Sequence, residues 1–580
     1  MSPADLLLIL PEIFQLILIN ILLLYALFFS GLGQKCQTSE ESFFLQNSIT
    51  QNKEANFSTQ GKYIRLAYLS TPLQIVEPLS WLVVLSLGFS FILLLNNPSS
   101  LESAVCLTNS YICDTYASFF KALVCVSSAA AIALSIPALK SSNVGSGRSN
   151  YEFILVIYLS IMGMLCLISS YNFLTFYLSI ELQSLSFYLL ACSRAKSEFS
   201  AEAGLKYFIL GAFSSAFLLF GMSLVYGSTG SIYFDDVAAL LEFSNNAKAT
   251  GGINIDLTQK LEDLSKMGHS IENWNPSGLS GFSQNLLSAV SFENYSASKI
   301  GLIIGLVCIC ISLLFKLAAV PFHMWAPDVY EGSPMSITAF FAIVSKIAAL
   351  ATLARFVIMT EQSLIELLTF VSIATLTVGT LSAMRQVKIK RLIAFSGISN
   401  VGWFLLGLCC GRLDAVMLHL IVYILTSITL FSIIIQPIHR DLGRTGESGV
   451  DSMILKHISD LGQVYKTNAV MAFALTLAFF SLGGIPILAG FYSKYLIINA
   501  SIQAEALGLL TVGLISAVLS AFYYLRVVKT VYFMQTTNNW FTFDVPSLAN
   551  AYLISCTTFF TAFFIAYPEC LSIWLIHISL

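Results

Sequence analysis

The sequence predicts an all-α polytopic membrane protein of about fourteen transmembrane helices. Three observations carry that expectation. Of 580 residues, 56% are hydrophobic and only 11% charged, against about 25% charged in soluble domains. Apolar runs long enough to cross a bilayer recur along most of the chain. Four ionisable residues, Glu181, Lys316, Lys346 and Lys494, sit inside such runs, where hydrocarbon disfavours each charge by roughly 2.5–3.5 kcal/mol.

The opening run, Leu6 to Phe29, is too long for a signal-peptide core and lacks a basic start, so it reads as span 1 (5–31) and not as a cleaved leader. Spans 2 to 6 follow at 73–96, 115–138, 151–169, 172–193 and 204–226. The polar stretch 228–298 then intervenes, with Leu257, Leu261 and Leu264 suggesting one short amphipathic helix. It reads as a solvated insertion that touches a neighbouring subunit. Spans 7 to 11 occupy 300–324, 335–359, 362–384, 391–410 and 413–436, and spans 12 to 14 occupy 468–499, 503–527 and 547–567.

Loops after odd-numbered spans carry 18 Lys and Arg. The opposite side carries 6: Lys121, Lys248, Lys260, Lys266, Lys299 and Arg412. The positive-inside rule therefore puts the odd loops on the negative side of the membrane and both termini on the positive side.

Several function classes are excluded. A net charge of −3 argues against a nucleic-acid partner. The 6 His and 12 Cys show no metal-ligand spacing, and no phosphate-binding glycine loop or haem-attachment motif is present, so no redox cofactor is expected on this chain. Cys308, Cys310, Cys409 and Cys410 lie in apolar spans as small hydrophobes. Cys106 and Cys113 share a polar loop, which leaves both a disulfide and free thiols open.

Phe315-Lys316-Leu317-Ala318-Ala319-Val320-Pro321 matches Phe480-Ser481-Leu482-Gly483-Gly484-Ile485-Pro486. Spans 7 and 12 stand five positions apart in the series, an odd number, so the copies cross the membrane in opposite directions. Each proline removes a backbone donor and clashes one turn back, which breaks spans 7 and 12. Paired broken helices in inverted halves point to an ion site in a transporter.

Glu181 falls at the centre of span 5, Lys316 one turn before the break in span 7, and Lys346 at the centre of span 8. Lys494 follows the break in span 12, about five residues from its positive-side end. A Glu181–Lys316 pair would hold a proton on Lys316 while closed and release it on parting. At an effective dielectric of about 20, contact at about 4 Å is worth about 4 kcal/mol. Moving one charge across about 100 mV costs about 2.3 kcal/mol, so one ion pair can outweigh one proton's transfer. Lys206 lies just inside span 6, where it can snorkel to the surface, and Arg355 reads as structural. His323, just past Pro321, is either a proton relay or an interfacial histidine. Tyr423 and His419 on span 11 are candidates to extend a relay.

The stretch Glu202–Ser215, the run Pro321-Phe322-His323-Met324-Trp325-Ala326-Pro327-Asp328-Val329-Tyr330-Glu331-Gly332, Lys390–Ser396 and Gly484-Ile485-Pro486 resemble subunit 2 of proton-pumping NADH–quinone oxidoreductase, respiratory complex I, the counterpart of bacterial subunit N. The likeness runs from about residue 150 to 530, with an echo at Leu10-Pro11-Glu12-Ile13-Phe14. It implies fourteen helices with two inverted five-helix repeats, spans 4–8 and 9–13, in one membrane domain (1–580). That domain divides into three N-terminal helices (1–150), a first repeat (151–360), a second repeat (361–530) and a C-terminal helix (531–580).

The resemblance also implies roles in proton translocation for Glu181, Lys316 (which Glu181 modulates), the connecting Lys346 and the exit-side Lys494, with Lys206 a further family lysine. NADH, FMN, iron–sulfur clusters and ubiquinone are then expected on other subunits. Partners would be other complex I membrane subunits, including neighbouring antiporter-like ones, with lipids, and accessory subunits at 228–298. Three departures stand out: Asn400 where the family usually has His, Met335-Ser336 in place of Thr-Pro, which would straighten the start of span 8, and the long 228–298 insertion. With no presequence, the mitochondrial inner membrane is expected, the bacterial plasma membrane being the alternative. Two other functional readings are a subunit of a multi-subunit cation/proton antiporter and a structural membrane scaffold.

Overall fold

The computed structural model describes residues 3–28, 73–96, 104–107, 109–142, 151–194, 197–249, 292–360, 364–436, 438–441, 455–462, 464–534, 540–543 and 546–579. The amphipathic helix expected at Leu257, Leu261 and Leu264 lies outside these residues.

Every predicted span has a helical counterpart. Among the described residues, 12 helices are long and apolar enough to cross a membrane, from Leu10–Phe28 to Leu507–Phe533. Span 12 is a pair of shorter helices, Ala469–Gly483 and Ala489–Gln503. Span 14 is Leu548–Phe563, followed after a 95° bend by a helix that begins at Pro568. The protein is therefore all-α and polytopic, with only two small antiparallel ladders outside the spans among the described residues. One joins Ala104–Cys106 to Tyr111–Cys113, the other Ile438–Asp441 to Trp540–Phe543.

Burial separates inner from outer helices. The most apolar stretch of span 8 (Met335–Thr360) is wholly buried, and 89% of it in spans 10 (Ile389–Cys409) and 11 (Leu413–Ile434). In spans 6 (Glu198–Thr229) and 13 (Leu507–Phe533) the share is 33%, which leaves long faces apolar and exposed, as contact with lipid or a membrane neighbour requires. Spans 6 and 7 approach so closely that a Cβ on Gly221 would lie 2.7 Å from the Gly305 carbonyl oxygen.

Three expectations change, and the pairing left open at Cys106 and Cys113 is answered. Span 8 crosses as one run but is interrupted at Val344, between Met335–Ile343 and Ser345–Thr360 and two residues before Lys346. Its start is continuous from Met335, as the loss of the Thr-Pro pair implies. The second half of span 12 runs on to Gln503, so Lys494 lies nine residues, about 13 Å, from that end instead of five. Lys121, counted with the loops, lies inside the span 3 helix Thr115–Ser142 and is buried. Cys106 and Cys113 are free and buried. The ladder register sets Cys106 against Tyr111 and Cys113 against Ala104, so the two thiols are diagonal neighbours, not a facing pair.

Candidate functional site

The two broken helices end in the same way. In span 7, the Ala319 N–H donates to Leu314 O and the Ala318 N–H to Phe315 O, both at 3.0 Å. In span 12, the Ile485 N–H donates to Phe480 O and the Gly484 N–H to Ser481 O, both at 3.1 Å. Both are Schellman-type ends, closed by a residue in the left-handed region: Ala318 (φ 61°) in one, Gly484 (φ 80°) in the other. In the sequence match Ala318 aligns with Gly483, so the second break falls one residue later. Trp325 Nε1 donates to Phe315 O at 2.9 Å across the first break, and its ring stacks on Tyr207 at 4.5 Å.

Lys316 occupies the last turn of the helix Phe292–Leu317. Its Nζ has no hydrogen-bond partner among the described residues, and neither does the buried Ser312 Oγ one turn earlier. The centre of the Tyr188 ring is 5.9 Å from Lys316 Nζ. Glu181, on the span 5 helix Phe173–Ala191, is close enough for its charge to act on Lys316, yet Glu181 Oε1 is likewise unpartnered among the described residues. Glu181 Oε2 accepts from Ser184 Oγ at 3.4 Å. The expected pair is thus open, not in contact.

Lys346 and Lys494 are tied into a single buried array. Lys346 Nζ donates to Gly397 O at 3.1 Å and to Tyr423 Oη at 2.9 Å. Tyr423 Oη in turn lies 3.4 Å from Ala342 O, a carbonyl beside the span 8 interruption. One turn before Tyr423 on span 11, His419 Nδ1 is 3.0 Å from Ser493 Oγ. The next residue, Lys494, donates to Leu482 O at 2.7 Å and has the Trp403 ring 5.6 Å away. A small cavity joins the two lysine sites, lined by Asn400, His419, Tyr423, Thr426, Ser481 and Lys494 among others, with room for about one water molecule. Asn400, in the histidine's usual place, donates to Ser396 O at 2.9 Å and turns the cavity wall into an amide.

The remaining candidates fall elsewhere. Lys206 is half-exposed and pairs with Glu202 (2.7 Å) and Asp328 (3.1 Å). Asp328 also binds Arg391 at 2.9 Å, while Glu331 pairs with Lys388 and Arg391. These charges link span 6, the helix after the first break and the start of span 10 at one membrane surface, outside the buried array. Arg355 pairs with Asp114 at 2.6 Å and donates to Ile168 O, a structural contact. His323 is buried with Nδ1 unpartnered among the described residues and has no hydrogen bond to Lys316. Sequence reasoning misses the Gly397 and Leu482 carbonyls, which act through backbone placement, and Ser493, whose Oγ meets His419. It also misses Glu12 with Lys121, a buried ion pair of 2.7 Å whose signal is a charge inside a span at each end. Among the described residues no group of three or more His, Cys, Asp or Glu could hold a metal.

Comparison with known proteins gives the family. Residues 170–258 and 277–520 match the family described as NADH:quinone oxidoreductase/Mrp antiporter, TM. The chain is 36% identical over 518 residues to NADH-ubiquinone oxidoreductase chain 2 of Marchantia polymorpha, covering 88% of this chain and 91% of that one. It is 35% identical over 479 residues to NADH-quinone oxidoreductase subunit N of Paramagnetospirillum magneticum, covering 81% and 84%. A chain of respiratory complex I from Thermus thermophilus superposes with TM-score 0.63 at 25% identity, covering 89% and 97%. A chain of the Mrp complex from Dietzia shares the fold, with TM-score 0.66 at 16% identity, covering 89% and 93%. With a matching core and relatives this similar over most of both chains, the chain belongs to the antiporter-like membrane subunits of complex I, the family of chain 2 and subunit N.

Proposed function

We propose that this chain carries protons across the membrane as a subunit of an NADH:quinone oxidoreductase, through Glu181, Lys316, Lys346 and Lys494, while the redox chemistry takes place on other subunits. One observation carries the assignment of residues: Lys346 bonds Tyr423, and Tyr423, His419 and Lys494 line one buried cavity between the span 8 interruption and the span 12 break. The span 12 break supplies the Leu482 carbonyl to Lys494, and the span 8 interruption supplies the Ala342 carbonyl to Tyr423, polar backbone where hydrocarbon would otherwise surround a charge. Glu181 and Lys316, held apart but within electrostatic reach, form the element whose closing or opening takes up or releases a proton. Tyr423 bridges, and His419, braced by Ser493, hands on across the cavity that it shares with Lys494. Lys206 acts at the surface, and His323 lies beside the break as an additional relay group.

NADH, FMN, iron–sulfur clusters and ubiquinone belong, in this reading, to the partner subunits. The exposed apolar faces of spans 6 and 13 meet lipid and neighbouring antiporter-like subunits, and the 228–298 insertion meets accessory subunits. The chain resides in the mitochondrial inner membrane, with its termini on the intermembrane-space side, as its excess of Lys and Arg in odd loops supports.

The test is Lys316→Ala in the assembled complex. Proton pumping and coupled quinone reduction should fall while NADH oxidation by an artificial acceptor is retained. Lys316→Arg should not fully rescue, because a guanidinium keeps its proton. Pumping at the wild-type rate in the Ala variant would reject the relay.

A further inference from the structure

Away from the repeats, spans 1 to 4 enclose a second polar file that the Lys346–Lys494 string does not use. Its first tier is the Glu12–Lys121 ion pair, 2.7 Å long, with side chains 4% and 3% exposed. Lys121 Nζ also donates to Tyr111 Oη at 2.7 Å and lies 4.7 Å from the centre of that ring. Glu12 Oε2 has no hydrogen-bond partner among the described residues.

One turn along span 1 comes the second tier. Gln15 Nε2 donates to Ser90 Oγ at 2.9 Å, and Ser90 Oγ is 3.4 Å from Cys125 Sγ, one turn beyond Lys121 on span 3. Gln15 Oε1 is buried and unpartnered among the described residues. One turn further from the hairpin end of span 2, Ser86 Oγ meets Tyr158 Oη of span 4 at 2.9 Å. All of these side chains are buried. The tiers step in order from the ladder Ala104–Cys113 towards the middle of the membrane.

Holding helices together does not call for such a file. Taking two charges out of water costs several kcal/mol per ion, and well-packed hydrophobic side chains in their place are often neutral or stabilising. Unpartnered buried oxygens such as Glu12 Oε2 and Gln15 Oε1 would each destabilise the fold if nothing hydrated them. Their alignment with hydroxyl and thiol groups suits a thread of water. The titratable groups that feel the pair are Cys106, Tyr111, Cys113, Cys125 and Cys166. Each is an uncharged acid at neutral pH, so among them the pair holds the charge.

We propose that Glu12, Lys121 and Tyr111 form a proton-accepting site at the mouth of a hydrated half-channel that runs past Gln15, Ser90 and Ser86 to Tyr158, separate from the Glu181–Lys494 array. This inference rests on the proton-translocation reading. Glu12 takes a proton from water onto a carboxylate oxygen, which parts the pair. Lys121 keeps Tyr111 Oη as its acceptor, and the neutral acid turns its O–H to Gln15 Oε1. Loss of the same proton to water restores the pair.

The experiment uses the assembled complex in membranes and the double variant Glu12→Gln with Lys121→Gln. If the pair only fastens helices, either single change strands a buried charge and the double change repairs the damage. If the pair holds protons, the double variant is not repaired. It should assemble, oxidise NADH with an artificial acceptor at the wild-type rate, and pump at less than half the wild-type rate. Glu12→Asp should restore most of that pumping. Tyr158→Phe, which removes one hydroxyl from the inner end, should slow pumping too, and it carries the test if the charge variants do not assemble. Wild-type pumping in the double variant, or in Tyr158→Phe where the double variant is lost, would overturn the half-channel. Lys316→Ala run in parallel separates the claims. Pumping lost there but intact in the double variant rejects the half-channel alone, and pumping intact in both rejects proton translocation by this chain.

Discussion

Gly397 is the residue against which Lys346 is seated: its carbonyl accepts from Lys346 Nζ at 3.1 Å, and a Cβ built on it would lie 2.7 Å from that same nitrogen. The position therefore couples a side chain's absence on span 10 to a charge's location on span 8.

Gly397→Ala should displace the ammonium without unfolding the protein. The clash is with the mobile end of a side chain, and alanine in a helix interior is favoured over glycine by about 1 kcal/mol. Expected results are unchanged thermal stability of the complex and a several-fold loss of proton pumping. Normal pumping in a stable Ala variant would mean that the seat is unimportant.

Tyr423→Phe removes the hydroxyl that joins Lys346 to the cavity but keeps the ring 4.8 Å from its nitrogen. A hydrogen bond to a charged group is worth about 1.5–3 kcal/mol, so a step that depends on it should slow by roughly tenfold or more. Steady-state pumping against quinone reduction would measure this. Loss of complex assembly instead would show the hydroxyl to be a structural anchor.

Ala318→Gly should stabilise the first break. Ala318 holds φ 61°, where a Cβ costs roughly 1–2 kcal/mol and glycine has no such penalty. Some of the gain is offset by the greater freedom of glycine in the unfolded chain, leaving about 0.5–1 kcal/mol. A modest rise in the denaturation temperature of the complex is expected, and a fall would show that Ala318's methyl group makes a contact worth more than its strain.

Cys113 should resist alkylation in the folded protein. Burial pushes its thiol up to about 12, and burial also raises that of Cys106. The reactive species is the thiolate, which forms only above the thiol's own pKa. At pH 8 the thiolate fraction of Cys113 is therefore about a thousandfold below that of an ordinary thiol. Mass spectrometry after iodoacetamide should find Cys113 unmodified at pH 8 and modified after denaturation. Rapid labelling of the native complex would contradict the burial of the hairpin.

The spans are legible because the bilayer fixes one length and one polarity, and the breaks of spans 7 and 12 because proline announces them. The interruption at Val344 is not legible. Ile337 to Lys346 contains neither Gly nor Pro, and the polar groups beside the broken turn, Lys346 and Tyr423, meet there from two different spans. The depth of Lys494 is easy to misjudge because the polar residues of Asn499–Gln503 look like a helix end although the helix continues through them. Lys121 reads as a loop residue because a lysine within two turns of a span's start looks like a snorkelling side chain, and its partner Glu12 lies more than a hundred residues away. Of the site, the charged members can be read one by one. What joins them cannot, since carbonyls and glycines carry no mark in a sequence.

The two broken helices have one further consequence. Lys316 belongs to the last turn of the helix before its break, while Lys494 belongs to the helix after its break and reaches back to Leu482 O. Both residues thus stand at the carboxyl end of a half-helix, where aligned peptide dipoles gather roughly half a negative charge. Of the two ammonium groups, it is that of Lys494 that bonds a carbonyl there. Such an end is a counter-ion with no acid form: no proton can neutralise it, at any pH. Its hold on Lys494, which belongs to the other half-helix, is loosened either by loss of that lysine's own proton or by moving one half-helix relative to the other. A protein built this way makes the charge state of Lys494 sensitive to displacement of its own backbone.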